Sequence, residues 1–189
     1  MKKLLGIMLA LALALALTVA VGAAYATPSK TALDLTQIGP TNIPGVVVYV
    51  TTSQASVDAA AAVVTDIAAK TTAGVTAAGF FGEALQADIA AAFPAGKDLA
   101  TLVINELAPL AISGYAAGMG DVIAPFQFAT VYQAGQTVVP MLGFVGADGV
   151  VEWHVLQAEV VAGGIVNITF PADLALRMIS EITVLAILN

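Results

Sequence analysis

The chain contains no cysteine, one histidine, one tryptophan and few charges, and each scarcity removes a class of chemistry. Without cysteine there are no disulfides, no thiolate nucleophile and no thiolate metal site. It also excludes lipid attachment at a leader cysteine. With only His154, no metal site built on two or three histidines can form. Cations are so sparse that, past the first three residues, only Lys30, Lys70, Lys97 and Arg177 remain. No segment concentrates positive charge, so nucleic acid is a poor partner and an anionic lipid surface would repel the chain. No cofactor is implied.

What is abundant is aliphatic. Hydrophobic residues make up 59% of the 189 positions and charged ones 10%, a composition too apolar to stay disordered. The apolar content begins with a leader. Lys2 and Lys3 precede an apolar run from Leu4 to Ala23, and Ala24-Tyr25-Ala26 supplies the small-x-small pattern of a signal-peptide cleavage site. Cleavage after Ala26 is expected, giving a secreted or cell-envelope protein with no membrane contact thereafter. The rival is a leader that stays uncut as an N-terminal anchor, since the run is long enough to span a bilayer. N-terminal sequencing separates the two. Cleavage leaves 163 of the 189 residues, and without Lys2 and Lys3 the net charge of −7 becomes −9. That length suits one generous domain or two small lobes sharing a core. An exported chain without disulfides fits a bacterium, so Asn167-Ile168-Thr169 reads as an accidental glycosylation sequon.

Residues 27–45 read as an extended segment punctuated by Gly39-Pro40 and Pro44-Gly45. Val46 to Val50 is β-branched and reads as a buried strand. A helix capped by Ser53 should follow, with Val57, Ala60, Val64, Ile67 and Ala68 as its apolar stripe, an Asp66–Lys70 pair, and a stop before Gly74. A second helix is predicted over Phe80 to Phe93. Residues 98–106 fit either a short helix capped by Asp98 or the start of a strand.

From Leu107 the period changes to two. Strands are expected over 110–113, 121–128, 137–145, 150–156, 158–161, 165–170 and 183–188, with a helical turn at 173–179. Pro125 argues for an edge strand or a bulge. Ala147-Asp148-Gly149 is the strongest hairpin signal. The last strand is apolar on both faces and should be central. The expected fold is therefore α+β: two amphipathic helices, then a mainly antiparallel β-sandwich of six or seven strands. The expected division is 1–26 signal peptide, 27–105 extended leader plus helical lobe, and 106–189 sandwich-like lobe.

Phe126-Gln127-Phe128, Tyr132 with Gly135-Gln136-Thr137-Val138-Val139, the Asp148-Gly149 hairpin followed by Glu152-Trp153, Thr169-Phe170 and the closing Val184 to Leu188 form a pattern. It resembles a C-terminal β-sandwich-like domain of secreted and surface proteins of Gram-positive bacteria, over about residues 122–188. The resemblance implies a small sandwich standing beside binding or catalytic modules, with no catalytic residues to carry over. The chain has no sorting motif followed by an apolar tail.

Candidate sites are few. Glu152 and His154 share a strand face, so a Glu–His pair is geometrically open to acid–base work. Alternation instead places both in solvent while Val151, Trp153 and Val155 face the core. Asp121, Glu106, Glu152 and Glu159 would have to converge across a cleft to act as a glycosidase pair, and their spacing gives no reason for that. None of Ser29, Ser53, Ser56, Ser113 and Ser180 sits in a nucleophile elbow. Asp148-Gly149 lacks the acidic run of a calcium loop, and Gly114 to Gly120 lacks the Lys-Ser/Thr of a phosphate loop. For glycan stacking the rings are Trp153, Tyr132, Tyr115 and Tyr49. Trp153 is expected in the core, and Tyr132, in an exposed turn, is the expected ligand contact. The function read from this is a non-enzymatic structural or interaction protein of the cell envelope or exterior. Its expected partner is a cell-envelope glycan or another surface protein. The alternatives are a glycan- or peptide-binding module and a carboxylate hydrolase.

Overall fold

A computed structural model describes residues 35–189. The expected signal peptide and residues 27–34 of the extended leader lie outside the described residues. The described chain is a mixed α+β fold with two antiparallel sheets and four α-helices. In chain order the elements are β1 (Leu35–Ile38), β2 (Val47–Val50), α1 (Gln54–Thr72), α2 (Ala77–Phe80), α3 (Glu83–Ala92), β3 (Ile104–Ser113), β4 (Val122–Phe128), β5 (Val139–Val145), β6 (Val151–Val155), β7 (Gln157–Val160), β8 (Val166–Phe170), α4 (Ala172–Arg177) and β9 (Ile182–Leu188). One sheet has the order β1-β4-β8-β7 and the other β2-β3-β9-β5-β6.

The two sheets share one buried core. Val122, Ala124, Phe126 and Phe128 of β4 and Val166, Ile168 and Phe170 of β8 meet Leu110, Leu142, Phe144, Leu185 and Ile187 from the other sheet. The opposite face of the five-stranded sheet is covered by helices. Ala60, Val63 and Ile67 of α1, with Phe81, Ile89 and Phe93, pack on Leu107, Met141, Val184 and Ala186. β9 is therefore covered on both faces, and Val184 to Leu188 are at most 1% exposed, as its two-sided apolar run predicts. Its one buried hydroxyl, Thr183 Oγ1, donates to Leu110 O at 2.7 Å.

Several expectations need correcting. Seven strands follow the helices, within the six or seven expected, and β1 and β2 ahead of them join the sheets, so nine are found among the described residues. Leu35–Ile38 is a strand paired with β4, within the stretch expected to be an extended segment. β2 is not buried but an edge: Val48 is 2% exposed, whereas Val47 is 52% and Tyr49 41%. The stripe of α1 is turned by one residue, burying Ser56, Ala60, Val63 and Ile67 while Val57 lies exposed. The cap makes the burial of Ser56 tolerable, because Ser53 Oγ accepts from Ser56 N and donates to Ser56 Oγ at 2.8 Å. The second helix is broken at Gly82 (φ 94°), where only glycine is unstrained, giving α2 and α3.

Pro125 lies neither at an edge nor in a bulge, for β4 is paired on both sides. The tolerance is local. β1 ends at Ile38, and the next residue, Gly39, donates its N–H to Pro125 O at 2.8 Å, so the absent proline donor faces a neighbour that has already ended. Pro109 stands in the same way opposite Thr51, just past β2, and Pro140 opposite Leu156, just past β6. Each proline carbonyl accepts one bond, at 3.1 and 2.8 Å, and each nitrogen owes none. Three half-rungs thus close three strands.

Candidate functional site

The tight turn at Gly146–Gly149 folds β6 back along β5, with Val150 N donating to Asp148 Oδ1 at 3.0 Å. Alternation along β6 then sorts its side chains. Val151, Trp153 and Val155 turn to the helix layer, and Glu152 and His154 turn the other way, beside Phe144 of β5. There α4 delivers Arg177. The guanidinium forks two carboxylates: Nε and Nη2 reach Glu181 at 2.8 and 2.9 Å, and Nη2 and Nη1 reach Glu152 at 2.8 and 3.2 Å. Its carbon sits 3.9 Å above the centroid of Phe144, a buried ring. His154 Nε2 lies 2.9 Å from Glu152 Oε1. A carboxylate only accepts, so Nε2 carries the hydrogen, and the 3.4 Å approach of Arg177 Nη1 to Nε2 is a contact between two donors.

Electrostatics follow from that geometry. Hydrogen bonding to Arg177 holds both Glu152 and Glu181 below the usual carboxylate range, and those two acids in turn raise Arg177 further above its ordinary value. A carboxyl held ionised by bidentate pairing is a poor proton donor at neutral pH, the reverse of what a general acid needs.

The other acids are engaged one at a time. Asp121 Oδ1 accepts from Ala172 N at 2.9 Å at the start of α4. Glu106 is 3% exposed, beside a register shift in β3, and accepts from Thr130 N at 3.3 Å. Glu159 is exposed on β7. Among the described residues no group of three or more His, Asp or Glu side chains could hold a metal ion, and no helix is long and apolar enough to cross a membrane. Ser56 is bonded to Ser53, and the Gly114–Gly120 loop joins β3 to β4, where Tyr115 Oη donates to Gly120 O at 2.8 Å.

Tyr132 is not exposed. Its ring is 1% exposed and packs edge-on against Phe128 at 5.9 Å, so it offers no stacking platform. Its hydroxyl makes no complete hydrogen bond. Burial, helped by the charge of Glu106, pushes the phenol well above its ordinary range, against a smaller opposing effect from the nearby Asn105 amide. The 129–137 connection looks like a polar turn in sequence, yet it tucks Tyr132 between the sheets. Tyr115 is likewise buried, and Tyr49 is exposed on the β2 edge.

Trp153 is only partly buried, and it lines a cleft of about 580 Å³ between α1 and the β5–β6 hairpin. Phe81 meets its ring edge-on at 4.9 Å and Phe80 at 6.1 Å. Asp66 and Lys70 stand on the α1 wall, paired at 3.0 Å as their spacing predicts, with Lys70 Nζ 4.9 Å from the Phe80 centroid. Gly146, Ala147 and Gly149 of the turn form the far wall. The sequence signal for this cleft was the single tryptophan, masked by its alternation with Val151 and Val155. Compared with family models, curated proteins and solved structures, the chain finds no match.

Proposed function

We propose that this chain is a non-catalytic protein of the bacterial cell envelope or exterior, exported through residues 1–26, whose β-sandwich presents surfaces for binding or assembly. One observation carries the reading: His154 and its neighbouring carboxylates converge on Arg177, which ties Glu152 and Glu181 as ionised acceptors beside Phe144. The groups best suited to acid–base work hold α4 to β6 instead. The partner class that fits an acidic, charge-poor exported domain is a cell-envelope glycan or another surface protein.

The test is turnover. The purified protein lacking residues 1–26 is assayed against glycosidase, esterase and peptidase substrate panels beside Glu152→Gln and His154→Ala. No turnover by any of the three is the expected result. Turnover by the wild type that either substitution abolishes would refute the proposal.

A further inference from the structure

We infer that the cleft beside Trp153 binds a neutral saccharide, an inference that rests on the non-catalytic binding reading above and gives it a ligand class and a place. Its volume of about 580 Å³ lies within the roughly 300–1,000 Å³ of small-ligand pockets. Its lining has the two kinds of group that a sugar ring needs. Trp153 and Phe80, both partly exposed, supply apolar aromatic surface for the C–H groups of a pyranose. Asp66 and Lys70 supply an acceptor and a donor side by side, so adjacent hydroxyls can donate to one and accept from the other.

The pair has capacity to spare. Its mutual contact uses Asp66 Oδ2 and Lys70 Nζ, whereas a carboxylate has two oxygens and an ammonium three donors. Both side chains are about half exposed, at 50% and 46%, so they reach solvent at the cleft mouth without unfolding cost. Net charge selects against acidic sugars, because the chain is −7 overall and Lys70 is already paired. Peptide addition is disfavoured at this wall, since Gly146 N and Gly149 N of the turn are spent on Val150 O and Gly146 O.

The chain's only tryptophan stands in the site and reports on it directly. Cellohexaose, xylohexaose and fully N-acetylated chitohexaose are titrated at millimolar concentration into the protein lacking residues 1–26, with Trp153 emission and calorimetry as readouts. A charged hexauronide and an apolar peptide library run alongside. The expected result is a saturable emission change with at least one neutral hexasaccharide. Asp66→Asn with Lys70→Met should weaken it about tenfold or more, the loss of a charge-assisted hydrogen bond. Phe80→Ala should weaken it as well. Circular dichroism confirms that each variant is folded. Absence of saturation by every neutral sugar, unchanged affinity in both variants, or preference for the uronide or the peptides overturns the inference. None of those outcomes touches the non-catalytic reading, which only turnover refutes.

Discussion

Gly143 is the position where a single methyl group tests how β5, β6 and the helix layer fit together. It lies opposite Trp153 in β6 and Val184 in β9, and its φ is not in the left-handed region, so alanine meets no backbone objection. The obstacle is space. A Cβ there would stand 2.6 Å from Val151 Cγ1 and 2.8 and 2.9 Å from Cζ3 and Cε3 of Trp153. Neither neighbour yields freely, because Val151 is β-branched and the indole is backed by Phe81 at 4.9 Å. Overpacking of this kind costs about 1–3 kcal/mol. For a domain of this length each kcal/mol moves Tm by roughly 2–4 °C, so Gly143→Ala should melt about 2–12 °C below wild type. Thermal denaturation followed by circular dichroism measures it, and Trp153 emission should shift to the red as the ring is pushed toward solvent. The two clashing carbons of Trp153 belong to the six-membered part of the indole, so Trp153→Phe should relieve their part of the cost when combined with Gly143→Ala, leaving the Val151 contact. A variant as stable as wild type, or a double mutant whose costs simply add, would refute this account of the packing.

Arg177→Ala should lower stability and flatten its acid dependence. Glu152 and Glu181 are held below their ordinary value of 4.5, so their contribution is present above that pH and is lost as the pH falls through their lower folded values; a variant that keeps the wild-type slope between pH 5 and 3 contradicts this. Ser53→Ala should cost about 1 kcal/mol in chemical denaturation, through the lost cap on Ser56 N. Tyr132→Phe should be neutral or stabilising by up to about 1 kcal/mol, because the buried hydroxyl makes no complete hydrogen bond. In the wild type the same phenol, raised above its ordinary value of 10, should resist alkaline titration, and stability should fall as the pH rises past 10; a Tyr132 that ionises near 10 would show that it is solvated.

What was legible in the sequence was local. The β5–β6 hairpin follows from Ala147-Asp148-Gly149, whose glycine takes the φ of 79° in the turn, α1 from its cap and its Asp66–Lys70 pair, and the central place of β9 from an unbroken apolar run. What escaped depends on contacts distant in sequence. β1 is four residues long and is a strand only because β4 lies beside it. The missing donor of Pro125 alone argues for an edge or a bulge, whereas its place in β4 depends on how far β1 extends. Glu152 was linked to His154 by alternation, but its stronger partner, Arg177, is 25 positions away on a helix. Tyr132 carries turn-like neighbours and is buried all the same, because the connection folds inward over Phe128.

Pro109, Pro125 and Pro140 also bear on how the molecule behaves in company. Its net charge of −7 is one guard against neighbouring copies zipping onto an open margin. At three seams a second limit is written into the covalent chain. A segment trying to lengthen β1, β2 or β6, whether by slippage or by exchange with another copy, reaches a pyrrolidine ring where the next amide should be, and growth stops after one bond.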